Sequence, residues 1–200
     1  MSAANEYRHR ALGLLRDEHR SLAAVVHALQ FLARRIGKGE APDMKLLGAI
    51  SHYLTQFPER LHHPAEDRWL FEPLRHKTEE CADEIATLAA EHARGEERSA
   101  ALNAAVSELA AGIPGAGDRF VRFADQYADF YWSHMMREET LIVPLAERTL
   151  DEAEWEAAVE GFQSNHDPMY GGDTAREFET LFARIVRMAP PPIGLGEPDL

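Results

Sequence analysis

Apolar residues recur along this chain at steps of three and four, the period of a helix with one buried face. From Tyr7 to Ile36 the stripe is Ala11, Leu15, Leu22, Val26, Leu29, Ala33 and Ile36, and Gly37, Gly39 and Pro42 end it. Asp43 is placed to cap a second helix with Leu47, Ile50, Leu54, Phe57 and Leu61 on its inner face. Pro58 and Pro64 each remove a helical hydrogen bond, so a kink or bulge is expected around His62–Glu66. A third helix is expected from Thr78, with the stripe Ile85, Leu88, Leu102, Val106, Leu109 and Ile113, closed by Gly112-Ile113-Pro114-Gly115. A fourth begins at Asp118 and runs through Phe120, Phe123, Tyr127, Tyr131, Leu141 and Leu145. Asp151 caps a shorter fifth helix carrying Trp155, Val159 and Phe162, and Gly171-Gly172 separates it from a sixth around Phe178, Phe182 and Ile185. No segment shows the alternation of a strand.

Polar residues interrupt these stripes at a few places. His19 stands four after Leu15, His92 four after Leu88, and His62 and His134 open two His-x-x-x-Glu pairs with Glu66 and Glu138. Residues four apart lie one above the other on a helix, so each pair can face one ion. The midpoints between successive histidines fall at Glu40–Ala41, at Lys77 and at Ile113, all in expected turns. In antiparallel helices that each rise about 1.5 Å per residue, residues equidistant from a turn share a height. An all-α, up-down-up-down four-helix bundle with two additional C-terminal helices therefore brings the four histidines to one level. Buried carboxylates need cations or protons, and a metal satisfies Glu66 and Glu138 together with the imidazoles. The corresponding division is residues 1–150 for the bundle, 151–188 for a helical extension of the same domain, and 189–200 for a Pro- and Gly-rich tail.

Composition narrows the partners. The chain has 200 residues, 45% of them apolar, and a formal net charge of −13, which disfavours a nucleic-acid backbone or an anionic membrane. Cys81 is the only cysteine, so a four-thiolate zinc site or a cysteine-held iron–sulfur cluster cannot form within one chain. With neither a signal segment nor an apolar run of about 20 residues, a cytoplasmic location is expected. Imidazole and carboxylate donors without thiolates favour iron or manganese and also accept zinc. His63, adjacent to His62, is turned about 100° away on a regular helix and is expected in solvent or behind the ligands. Glu139 is expected behind the ligands or at the surface. His166 continues the row of Trp155, Val159 and Phe162, either as a core or capping residue or near the metal. Tyr127, Tyr131 and Trp132 read most simply as core aromatics, the alternative being a tyrosine one turn from His134 that donates to an oxygen species on the metal.

Four motifs together, Asp17-Glu18-His19, His62-His63-Pro64-Ala65-Glu66-Asp67, Glu91-His92 and His134-x-x-x-Glu138-Glu139, resemble the hemerythrin-like, or HHE cation-binding, family over about residues 10 to 148. The resemblance implies a four-helix bundle around two non-haem iron ions, with His19, His62, His92 and His134 as terminal ligands and Glu66 and Glu138 as bridges. Oxygen-carrying hemerythrins have a further histidine one turn after the one on the third helix. Here that position is Glu96, which either supplies a carboxylate ligand or leaves a position open to water. The function implied is binding or sensing of a small diatomic or peroxide: oxygen, nitric oxide or hydrogen peroxide. The alternatives are a di-iron enzyme of nitrosative or oxidative stress, acting in iron–sulfur repair or in nitric oxide or peroxide reduction, and a metal-storage or interaction module. The acidic surface and added helices also fit a protein partner or a homo-oligomer.

Overall fold

The computed structural model describes residues 3–164, 172–189 and 194–195, and among them all regular structure is helical. Helix α1 spans Ala3–Gly37 and α2 spans Met44–Phe57. The chain continues without a turn through a π-helical segment, Pro58–His62, a single α turn, α3 (His63–Glu66), a second π segment, Asp67–Phe71, and α4 (Glu72–Lys77). Helices α5 (Ala82–Ala93) and α6 (Gly95–Ala110) follow. Next come α7 (Ala116–Arg137), a third π segment at Glu138–Ile142 and α8 (Val143–Thr149). Helices α9 (Glu152–Ser164) and α10 (Gly172–Met188) complete the order. None of these helices is long and apolar enough to cross a membrane.

Capping chemistry explains several boundaries. Asp43 Oδ1 accepts from the backbone N–H groups of Lys45 and Leu46, both at 3.0 Å, and so starts α2. At α9 Asp151 Oδ1 accepts from Glu154 N at 3.1 Å while Glu154 Oε2 accepts from Asp151 N at 2.8 Å, a reciprocal capping box. Two expectations need correction. The third helix begins at Ala82 rather than Thr78: Thr78 Oγ1 does accept from Glu80 N, but Cys81 then takes a left-handed φ of 59°, which breaks the helix there. The same helix is also divided, because Arg94 leaves the helical region at φ −98°, ψ 9° just before Gly95, a residue with weak helix propensity. His166 and most of the tail lie outside the described residues.

Two compact units can be distinguished. One is built from Met1–Arg20, Pro58–Arg94 and Ser133–Arg176, the other from Ser21–Phe57, Gly95–Trp132 and Glu177–Leu200. The first has a core of Leu15, Phe71, Leu88, Leu145, Trp155 and Phe162 among others, each large side chain contributing about 1.5–3 kcal/mol on burial. In this unit Trp69 lies against α9 at Gly161, where a Cβ would come within 2.1 Å of the indole Nε1, so only glycine leaves room. In the second unit α2 packs on α6. There Tyr127 donates to the Leu54 carbonyl at 3.1 Å, and Tyr127 and Tyr131 have ring centroids 5.0 Å apart. These tyrosines are buried, as expected of core aromatics.

Candidate metal centre

Each of the three π segments ends two residues before a proline, namely Pro64, Pro73 and Pro144. A proline inside a helix cannot donate to the carbonyl four residues back, and its ring collides with that carbonyl. A wider π turn displaces the obstructing carbonyl, and the residues just before Pro73 and Pro144 accordingly bond five residues back, Glu72 N to Asp67 O and Val143 N to Glu138 O. The expected irregularity near His62–Glu66 is thus a pair of π segments flanking one α turn. Pro144 carries the same signal for the third.

All the side chains of the centre belong to the first unit. His19 comes from α1, His62 and Glu66 from the π–α3 stretch, His92 from α5, His134 from α7, and Glu138 from the start of the third π segment. All six are buried, and they form two groups whose donor atoms lie within 4.8 Å of one another. The first is His19, His62, Glu66 and Glu138; the second is Glu66, His92, His134 and Glu138. The two carboxylates belong to both groups. His19 Nε2 is 3.3 Å from Glu66 Oε1 and 3.4 Å from Glu138 Oε2. On the other side His92 Nε2 is 3.7 Å from Glu66 Oε2 and 3.6 Å from Glu138 Oε1, while His134 Nε2 is 3.1 Å from Glu138 Oε1. Donors bound to one ion at about 2.0–2.2 Å lie about 3–4 Å apart, and these separations fall in that range.

Behind each imidazole stands a carboxylate. His19 Nδ1 donates to Glu139 at 2.9 Å, His62 Nδ1 to Glu18 at 2.9 Å, His92 Nδ1 to Asp67 at 3.0 Å and His134 Nδ1 to Glu91 at 2.8 Å. Each of these acids is the sequence neighbour of an inward residue, yet it serves a histidine on a different segment: Glu18 follows Asp17 and precedes His19 but holds His62. A carboxylate on the outer nitrogen fixes the tautomer with Nε2 free of its proton and raises ligand basicity. Two arginines brace the acids from outside. Arg137 donates to both oxygens of Glu91, at 2.7 and 2.5 Å, and to Glu84 at 2.9 Å, and Arg16 reaches Glu139 at 3.3 Å.

Without a metal, protons hold the charges in balance. Burial alone would lower the pKa of His19, but the Glu138, Glu139 and Glu66 carboxylates outweigh it and hold the imidazole well above its ordinary value. His92 is likewise disfavoured by burial and carried up to about 10 by Asp67, Glu138 and Glu66. His134 is raised by Glu138 and Glu91 against its burial. Burial opposes ionisation of Glu138, yet the surrounding imidazoles, His134 foremost, hold its carboxyl well below the usual range. The Nε2 atoms of His92 and His134 are 3.1 Å apart. With both Nδ1 atoms donating outward, two lone pairs face each other there unless a proton or a metal ion lies between them. Neither oxygen of Glu138 accepts a hydrogen bond, nor does Glu66 Oε2, although all are fully buried. Buried carboxylate oxygens without donors, ringed by imidazoles and without thiolate, fit a hard or borderline metal.

The structure places three residues for which the sequence left alternatives. His63 is not in solvent; it is buried and stacked on His92 at a centroid distance of 4.2 Å and an interplanar angle of 10°. Glu96 is exposed, whereas every donor of the centre is buried, because the helix is interrupted at Arg94 and the four-residue step from His92 no longer applies. Glu139 stands behind His19, one of the two places expected for it. Glu18, Asp67 and Glu91 had no role assigned from sequence.

The family model described as the hemerythrin HHE cation binding domain matches residues 10–146. The chain belongs to this family. No protein of curated function and no solved structure gave a match to it. Within this hemerythrin HHE domain the matched span includes every one of the His and Glu donors above and all four carboxylates behind them.

Proposed function

We propose that this hemerythrin-like chain is a four-helix bundle over residues 1–150, extended by 151–188, that holds two iron ions and binds or senses a small oxidant or diatomic. The observation that carries the reading is the sharing of Glu66 and Glu138 between the two donor groups, the arrangement that two ions bridged by carboxylates require. His19 and His62 would hold one ion and His92 and His134 the other, with Glu66 and Glu138 common to both. Iron bound there would supply redox electrons and a coordination position for oxygen, nitric oxide or peroxide. The chain's own part is to present neutral imidazole Nε2 atoms, keep the outer protons on the Nδ1 atoms through hydrogen bonds to Glu18, Asp67, Glu91 and Glu139, and exclude bulk water by burying every donor. Manganese or zinc would fit the same donors, and metal content after purification without added metal decides among them.

The test is one equivalent of nitric oxide or hydrogen peroxide added to the reduced, iron-loaded protein under anaerobic conditions, followed by optical spectra. A stable stoichiometric adduct supports binding or sensing. Catalytic consumption of further equivalents would instead make the protein a reductase, and no spectral change at all would leave storage as the function.

A further inference from the structure

We propose that His63 is a fifth imidazole ligand of this centre, binding the ion that His92 and His134 hold, with Glu59 as the carboxylate behind it. The assignment rests on the two-metal reading and adds a residue that the four-histidine pattern omits. His63 is buried, and neither Nδ1 nor Nε2 has a hydrogen-bond partner. A histidine that merely fills a core satisfies at least one of its nitrogens, because burying an unpaired polar group is costly. Its surroundings offer a partner of another kind. Donor atoms of His63, His92 and His134, all buried, lie within 4.8 Å of one another, a third grouping of the sort that holds an ion. The ring lies parallel to His92 and edge-on to His134, with the His134 centroid 5.6 Å away.

The outer side of the ring also faces a carboxylate. Its Nδ1 is 3.6 Å from Glu59 Oε2, one turn earlier on the same stretch of chain, which is beyond hydrogen-bonding distance and unlike the direct 3.0 and 2.8 Å bonds from His92 to Asp67 and from His134 to Glu91. The Pro58–His62 π segment explains how two adjacent histidines can both face inward. A π turn rotates the chain less per residue than an α turn, so His63 stays closer to the direction of His62. Glu96 being exposed, the His92–His134 ion has no further donor from the third helix, and His63 supplies a third imidazole from the second.

Proton NMR of the cobalt(II)-loaded full-length protein tests this, since each coordinated histidine with a protonated outer nitrogen gives one paramagnetically shifted, solvent-exchangeable N–H resonance. The expected count is five in the parent and four in His63→Phe. Cobalt titration should show the weaker site of His63→Phe reduced by more than about 100-fold, beyond the 10–100-fold that loss of an outer partner produces, and that of Glu59→Gln reduced within about 10–100-fold. Two cobalt ions with only four such resonances in the parent, or unchanged affinity in a folded His63→Phe, would overturn the assignment and leave the two-metal reading standing. Fewer than two cobalt ions bound by the parent would overturn both. The resonance count in the parent requires no variant to fold.

Discussion

Replacing Glu91 by glutamine isolates one of the carboxylates that stand behind the histidines. Glu91 accepts from His134 Nδ1 at 2.8 Å and from Arg137 at 2.5 and 2.7 Å. Burial alone would raise its pKa, but these donors outweigh burial and bring it from 4.5 to about 2. At about 1.4 kcal/mol per pKa unit that difference corresponds to about 3 kcal/mol. The side chain retains 23% exposure, and screening by solvent reduces the contribution to about 1–2 kcal/mol. The sign follows from the direction of the shift. A carboxylate whose folded pKa is depressed stabilises the native state above its unfolded value of about 4.3, and that stabilisation fades as pH falls toward about 2. Urea unfolding of the metal-free protein, followed by circular dichroism, should therefore place Glu91→Gln about 1–2 kcal/mol below the parent at pH 7, with the gap narrowing below about pH 4.5. Equal midpoints at pH 7, or a gap unchanged at pH 3, would show that the Glu91 charge does not stabilise the fold. In the loaded protein the same variant should weaken metal binding by about 10–100-fold.

Combining Glu66→Ala with Glu138→Ala removes both shared carboxylates, and elemental analysis should find no bound metal in the double variant. Gly161→Ala forces its new Cβ onto the Trp69 indole and should cost about 1–3 kcal/mol of stability, read by urea unfolding with a shift in tryptophan fluorescence. Metal affinity should rise as pH increases from 6 to 8, with protons released into a dilute buffer containing an indicator dye, because His19, His92 and His134 have raised pKa values and must lose protons to bind. The metal-free protein should show the opposite trend. Its histidine contribution is full below about pH 6.5, the ordinary value, and is lost as pH rises through the raised ones, about 10 for His92.

Much of the centre was legible because helices convert spacing into height. His62 and Glu66, and His134 and Glu138, are four apart, two of the three midpoints between histidines fall between helices while the third, Lys77, is the last residue of α4, and the donor atoms of His19, His62, His92 and His134 are found in two groups that share both glutamates. What escaped the sequence depended on departures from a regular α turn. For His63 equal rotation at every residue leaves solvent or a place behind the ligands open, and the Pro58–His62 π segment, which rotates less per residue, goes with the buried position. Glu96 was placed over His92 by assuming one unbroken helix, whereas Arg94 and Gly95 interrupt it. The Glu138–Ile142 π segment was missed although Pro144 marks it as Pro64 marks the earlier one. The acids Glu18, Asp67 and Glu91 were missed for a different reason: each is adjacent to an inward residue and serves a histidine remote in sequence, a relation that spacing along one helix cannot express.

The most direct test of two ions sharing Glu66 and Glu138 is an anaerobic titration of the metal-free protein with ferrous iron, with Mössbauer spectra of the oxidised product. The expected result is an end point of two iron ions per chain and an oxidised pair coupled to a diamagnetic ground state. An end point of one ion per chain, or two ions that remain magnetically independent, would contradict it.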